Sequence, residues 1–269
     1  NDEIFSLIDQ DDAKATASYP WAQVQEMTKG IRMQEVVLLT AMEGVGKTEI
    51  FRALEYHLLQ TTDSNIGIIH LEESKGRLIK GLVGYDIHAP IHLEPNVSKD
   101  DIKNGWLRTV KRDNRVHIYS HFGSDDPDVI LDAIRFMASA CECKYIFLDH
   151  ITMLVSGLDD GDERRTLDYI STKLAHMVEE QDFCLFMISH VNDDGKTRGS
   201  RNISKIADLS MHLDRDLTLS DAIERNTTKL TIRKNRFASQ TGPAGLLYFD
   251  PSTFMIKERV MPPEGLPPV

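Results

Sequence analysis

Cysteine is scarce in this chain, and the three present, Cys141, Cys143 and Cys184, include no C-x-x-C pair. An odd count without paired spacing excludes a disulfide framework and argues for buried thiols in a reducing compartment. Apolar runs of membrane-spanning length are missing too, so no membrane partner is expected. Basic residues are outnumbered: 31 Lys and Arg against 42 Asp and Glu leave a formal charge of −11. That balance excludes broad, non-specific coating of nucleic acid but is compatible with a locally basic channel. The opening stretch, NDEIFSLIDQDDAKA, carries no secretory or transit pattern and no initiator Met, so a piece of a longer protein is expected.

With 269 residues and 41% hydrophobic content, the chain can build one large α/β domain, placed here at residues 19–260. Residues 1–18 read as an amphipathic helix with Ile4, Phe5 and Ile8 on one face among acids. Such a stripe suits either docking on a neighbouring subunit or a frayed terminus. Residues 261–269, within VMPPEGLPPV, read as a disordered proline-rich tail.

Between these ends, VVLLT (36–40), IGIIHLE (66–72), VHIY (116–119), YIFLD (145–149) and FCLFMIS (183–189) read as strands. They alternate with helical stripes over 48–60, 127–141 and 163–181, which predicts a mostly parallel sheet covered on both faces. After residue 208, LSMHLD, KLTIRKNR, LLYFD and FMIKE follow without intervening helices and read as an antiparallel extension. Within KLTIRKNR, Lys234 and Arg236 continue the face of Leu230 and Ile232, which should enter the core. Burying two unpaired cations costs several kcal/mol or more, so they demand a negative partner.

AMEGVGKTEI (41–50) lies between a predicted strand and a predicted helix, the setting that gives a G-x-x-x-x-G-K-T signature meaning. Ala41 stands where the first glycine is usual. Gly44, Val45 and Gly46 would turn backbone N–H groups toward a polyphosphate, with the dipole of the following helix behind them. Lys47 would contact the β- and γ-phosphates, and the Thr48 hydroxyl would hold Mg²⁺.

Ligands bind at the carboxyl ends of strands in open α/β sheets, and polar residues collect at four such ends here, those of strands 36–40, 66–71, 145–148 and 183–188. Asp149, after YIFL, has the pattern of a second Mg²⁺-holding residue. Glu72 is the candidate to orient or deprotonate an attacking water, with Glu73 as the fallback because adjacent strand residues face opposite ways. His190 is placed to donate to the γ-phosphate and report its presence.

The segments GVGKT, IIHLEES, IFLDHITMLVSG, DERR, MISH, RGS and IRKNRF…TGPAG occur in that order. Together they resemble the helicase domain of bacteriophage primase–helicases, within the wider family of DnaB-type replicative helicases and mitochondrial Twinkle. The similarity runs from about Gly30 to about Lys257. It implies a RecA-like P-loop core that uses ATP or dTTP with Mg²⁺ to move 5′→3′ along single-stranded DNA and unwind duplexes. It also implies a ring of six or seven copies, primase and DNA polymerase as partners, and the cytoplasm of a phage-infected bacterium or a mitochondrial matrix.

On this resemblance Arg236 is an arginine finger reaching a neighbour's γ-phosphate, with Lys234 as its companion, and the adenine base stacks between Arg215 and Phe249. DNA-facing loops fall at 156–164 and 191–201, the second offering Lys196, Arg198 and Arg201. That loop is shorter than in phage relatives, and the first is acidic. The zinc-binding cysteines and acidic core of a primase are absent. Three other readings remain: a RecA- or KaiC-like ATPase of recombination or regulation, a monomeric P-loop kinase, and a nucleotide-gated binding module.

Overall fold

The computed structural model describes residues 14–94, 96–120, 126–155, 158–191 and 201–259, with Asp160 and Arg201 as backbone only. The expected helix over 1–18 falls mostly outside this range. Its described end, residues 14–18, is not helical; Ala17 forms an antiparallel bridge to Ile31. The tail 261–269 also lies outside the described residues.

In chain order the elements are α1 (Ala22–Thr28), β1 (Val36–Ala41), α2 (Lys47–Thr61), β2 (Asn65–His70), α3 (Lys75–Ile87) and α4 (Lys99–Arg108). There follow β3 (Val116–Tyr119), α5 (Pro127–Ser139), β4 (Cys143–Asp149), α6 (Asp160–Gln181), β5 (Cys184–His190) and α7 (Arg201–Ile206). The chain closes with β6 (Leu209–Asp214), α8 (Ala222–Arg225), β7 (Thr227–Asn235), β8 (Gly242–Asp250) and β9 (Met255–Arg259).

One sheet of nine strands holds the order β3-β2-β4-β5-β1-β6-β7-β8-β9. Pairing is parallel from β3 through β6 and antiparallel from β6 to β9. LSMHLD therefore closes the parallel part rather than opening the antiparallel extension, and short α8 interrupts the expected run of strands. The reason is topological: the chain crosses from β5 through α7 before reaching β6, and a crossover delivers a parallel strand.

β1 is buried along its whole length, and β4 and β5 nearly so, because helices cover both faces. On one face Phe51 of α2 meets Phe147 edge-on at 5.3 Å, and Phe147 stacks on Phe186 at 4.7 Å. On the other, Ile130 and Ile134 of α5 and Leu167 and Ile170 of α6 pack over Ile146 and Leu148. Gly67 of β2 lets α5 approach closely: a Cβ there would lie 2.7 Å from the Met137 sulfur. Helix starts are locally encoded, as at α5, where the Asp126 side chain accepts from the Asp128 N–H and Pro127 opens the first turn.

Candidate active site

β1 delivers its carboxyl end into the glycine turn. Gly44 (φ 78°) and Gly46 (φ 94°) both occupy the left-handed region, which explains glycine at these two positions. Ala41, by contrast, is the buried last residue of β1 and has no positive φ, so nothing in this turn requires a glycine there. Lys47 opens α2 and is only 7% exposed. Its Nζ donates to the carbonyls of Met42 (2.8 Å) and Ala41 (3.4 Å) and lies 3.4 Å from His190 Nδ1. Burial pulls its pKa down, while Asp149, Glu72 and Glu43 pull the other way.

Next to it, Thr48 Oγ1 donates to Asp149 Oδ2 at 2.7 Å. The end of β2 is tied to the end of β4, since the Leu71 N–H donates to the Asp149 carbonyl at 2.6 Å. Glu72 follows, 61% exposed, with Oε1 3.1 Å from Nε2 of the buried His150. His150 sits edge-on against His190, with ring centres 4.1 Å apart. Glu72, His150 and His190 each offer an atom within 4.8 Å of the others. Mg²⁺ favours oxygen ligands, so the Thr48–Asp149 oxygen pair fits that ion and the imidazole-rich cluster does not.

Glu73 points elsewhere. Arg52 of α2 grips both its oxygens at 2.9 and 2.8 Å, and His70 Nδ1 approaches at 3.3 Å. His70 Nε2 also meets the buried Glu55 at 2.9 Å, and Arg52 bonds Glu49. Burial alone would lower the His70 pKa, yet Glu55 and Glu73 outweigh it and push the value up to about 10. For Glu73, burial works against the charge, but His70 and Arg52 more than offset it and hold the carboxyl below its ordinary range. Of the two adjacent acids, Glu72 is the one facing the phosphate turn.

The cationic pair departs from expectation. Pairing between β6 and β7 shifts register at Ser210/Met211, so Asn235 is buried, Lys234 is half-buried and Arg236 is 54% exposed. Neither cation enters the core. Lys234 Nζ donates to the carbonyls of Ser204 (3.1 Å) and Lys205 (2.8 Å) at the end of α7. Arg236 donates to Asp208 Oδ1 (2.8 Å) and the Lys205 carbonyl (2.7 Å). Their partners within the chain are thus carbonyls and one acid, at the edge opposite the glycine turn. Asn235 is level with Leu209 and hence Val37, four residues and about 13 Å below Ala41.

Arg215 does lie beside the turn: its Nη1 is 3.8 Å from where a Gly46 Cβ would stand. Arg215 Nη2 donates to Asn226 Oδ1 and the Phe249 N–H to the Asn226 carbonyl, so both residues converge on one segment. The Phe249 ring packs edge-on against Phe254 at 5.1 Å. Lys196, Arg198 and the Arg201 side chain lie outside the described residues. Of the loop expected at 156–164, residues 160–164 belong to the first turns of α6. His150 and Arg52 carried no role in the sequence reading, and Glu73 only that of fallback base, although the Asp-His pair closing YIFL was the signal for His150.

A parallel sheet with a glycine turn, lysine, hydroxyl and carboxylates gathered at its carboxyl edge defines a RecA-like P-loop nucleotide-binding domain. Its family is equally definite: residues 18–255 match the DnaB-like helicase C terminal domain, and the chain belongs to that family. The DNA helicase/primase of Enterobacteria phage T3 is 25% identical over 248 residues, 86% of this chain but 43% of that protein. The chain thus spans less than half the length of that relative. Among solved structures, one described as an ATPase domain superimposes with a TM-score of 0.75 at 18% identity, covering 94% of this chain and 95% of that one. A DnaB-like replicative helicase, described with its interactions with primase, gives 0.74 at 18% identity, covering 94% and 66%. A KaiC-like protein of Pyrococcus horikoshii OT3 gives 0.68 at 17% identity, covering 91% and 100%.

Proposed function

We propose that the chain is the motor domain of a replicative DNA helicase, a ring in which each nucleotide site is shared by two copies. The observation that carries this reading is the separation of Lys234 and Arg236 from the glycine turn by the length of the sheet. Within one chain these cations cannot reach a phosphate held at Lys47, whereas a second copy can present them.

In this reading the Gly44–Gly46 turn and Lys47 bind the phosphates of ATP or dTTP. Arg215 and Phe249 flank the base. Thr48 and Asp149 would hold Mg²⁺, which when bound neutralises charge on the phosphate oxygens. Glu72 takes the proton from the attacking water, His190 senses the γ-phosphate, and the neighbour's Arg236 and Lys234 complete the site. Lys196, Arg198 and Arg201 contact single-stranded DNA, with the 5′→3′ sense implied by the resemblance. Primase and DNA polymerase are the natural partners, in the cytoplasm of a phage-infected bacterium.

A shallow apolar cup lies between α3 and α4, formed by Ile79, Val83, Ile102 and Trp106 and rimmed by Lys80, Lys99 and Lys103; it would suit the amino-terminal apolar stripe of a neighbouring copy. A neighbour's Ile4, Phe5 and Ile8 match the cup, and the acids Asp2, Glu3 and Asp9 match its lysines.

Particle mass and hydrolysis together test this. With Mg²⁺ and a non-hydrolysable nucleotide, the expected species has six or seven copies, and single-stranded DNA stimulates steady-state hydrolysis. A single copy that hydrolyses nucleotide at full rate, indifferent to DNA, contradicts the reading.

A further inference from the structure

Glu72 leaves its strand with a solvent-facing side chain, and a carboxylate in that position needs something to aim it. Its backbone is already bracketed, by Leu71 on the Asp149 carbonyl and by Glu73 in the grip of Arg52. The carboxylate itself meets His150, whose ring is withdrawn from solvent by the same geometry that exposes Glu72 (side-chain exposures 7% and 61%). We infer that His150 is a positioning residue for Glu72, holding one carboxylate oxygen so that the other faces the attacking water. The inference rests on the reading of Glu72 as the base.

Both ring nitrogens of His150 are engaged. Nδ1 lies 2.6 Å from Thr152 Oγ1, and Nε2 lies 3.1 Å from Glu72 Oε1. One neutral tautomer satisfies both contacts: the Thr152 hydroxyl donates to Nδ1, and Nε2–H donates to the carboxylate. His190 packs against the ring edge and limits its rotation. The ring is therefore fixed by its surroundings before it meets Glu72, as a supporting residue must be. Donation to Oε1 leaves Oε2 as the proton acceptor. A misplacement of about 1 Å in such a group can cost on the order of 10²-fold in rate.

A double-mutant cycle separates this role from simple packing. His150→Ala should lower kcat by about 10- to 100-fold while KM and the affinity for a non-hydrolysable nucleotide stay within about twofold. His150→Gln, whose amide N–H can donate from a similar place, should regain part of that loss. Thr152→Val keeps the ring but removes its hydroxyl partner, and should lower kcat by a few-fold with KM unchanged. In a Glu72→Gln background, His150→Ala should cost less than about twofold further, because the group it aims is gone. An equal loss in both backgrounds, or a parallel collapse of nucleotide binding, overturns the inference and leaves Glu72 as the base. Full turnover by Glu72→Gln alone overturns the assignment of the base, and this inference falls with it.

Discussion

The two ends of the sheet are built differently. At the carboxyl edge, charge is buried and internally matched: Lys47 on its own turn's carbonyls, Thr48 on Asp149, and Arg52 and His70 among Glu49, Glu55 and Glu73. At the amino edge, Lys234 and Arg236 rest on the carbonyl end of α7 and on Asp208, the first half-buried and the second 54% exposed. An edge of the first kind is preorganised, its polar groups held by partners within the chain. One of the second kind leaves Arg236 open to solvent, where our proposal has it meet another chain.

The sharpest way to break this comparison is Arg236→Ala. Losing an arginine that completes a phosphate site costs roughly 10³–10⁵ in turnover. Losing an exposed pair costs at most about 1 kcal/mol of stability, so hydrolysis should collapse while the melting temperature barely moves. Equal effects on both would place Arg236 in the fold rather than in the site.

Arg52→Met should behave in the opposite manner. Removing one partner from a buried charge cluster costs about 3–5 kcal/mol, because Glu49 and Glu73 keep their charge without their cation. Denaturant unfolding should show that loss. An unchanged midpoint would mean that the cluster is wetter than its geometry indicates.

The effects of pH differ by edge. His70 is held up to about 10 from 6.5, so its contribution is full below pH 6.5 and fades as pH rises through 10. Glu35, at the amino edge, is raised by burial to about 7 from 4.5; its contribution is full below pH 4.5 and fades as pH rises through 7. Thermal unfolding of His70→Gln should flatten the alkaline fall in stability, and Glu35→Gln the fall between pH 4.5 and 7. The smallest change expected is in Asp208→Asn: Asp208 is 23% exposed and also accepts from the Val36 N–H, a bond the Asn oxygen can keep, so losing the charge alone should shift stability by about 1 kcal/mol.

Much of this was legible in the residues. Strands buried on both faces need uninterrupted apolar runs, so VVLLT, YIFLD and FCLFMIS announce β1, β4 and β5. The glycine turn is equally plain, because Gly44 and Gly46 must take positive φ. Other features depend on tertiary placement. The register shift that turns Lys234 and Arg236 away from the core arises between two strands and leaves no mark in either alone. α4 is missed because it offers few apolar residues, and of its ten residues only Gly105 is buried. Glu72 and Glu73 look alike as letters; Arg52, 21 positions away from Glu73, decides which one faces the site.

The most direct test mixes two disabled chains. Lys47→Ala lacks the phosphate lysine but keeps its arginine, and Arg236→Ala has the reverse defect. If one site draws on two copies, combining them at equal ratio should restore hydrolysis well above the sum of the parents. Activity that stays at that sum at every ratio would contradict the shared site.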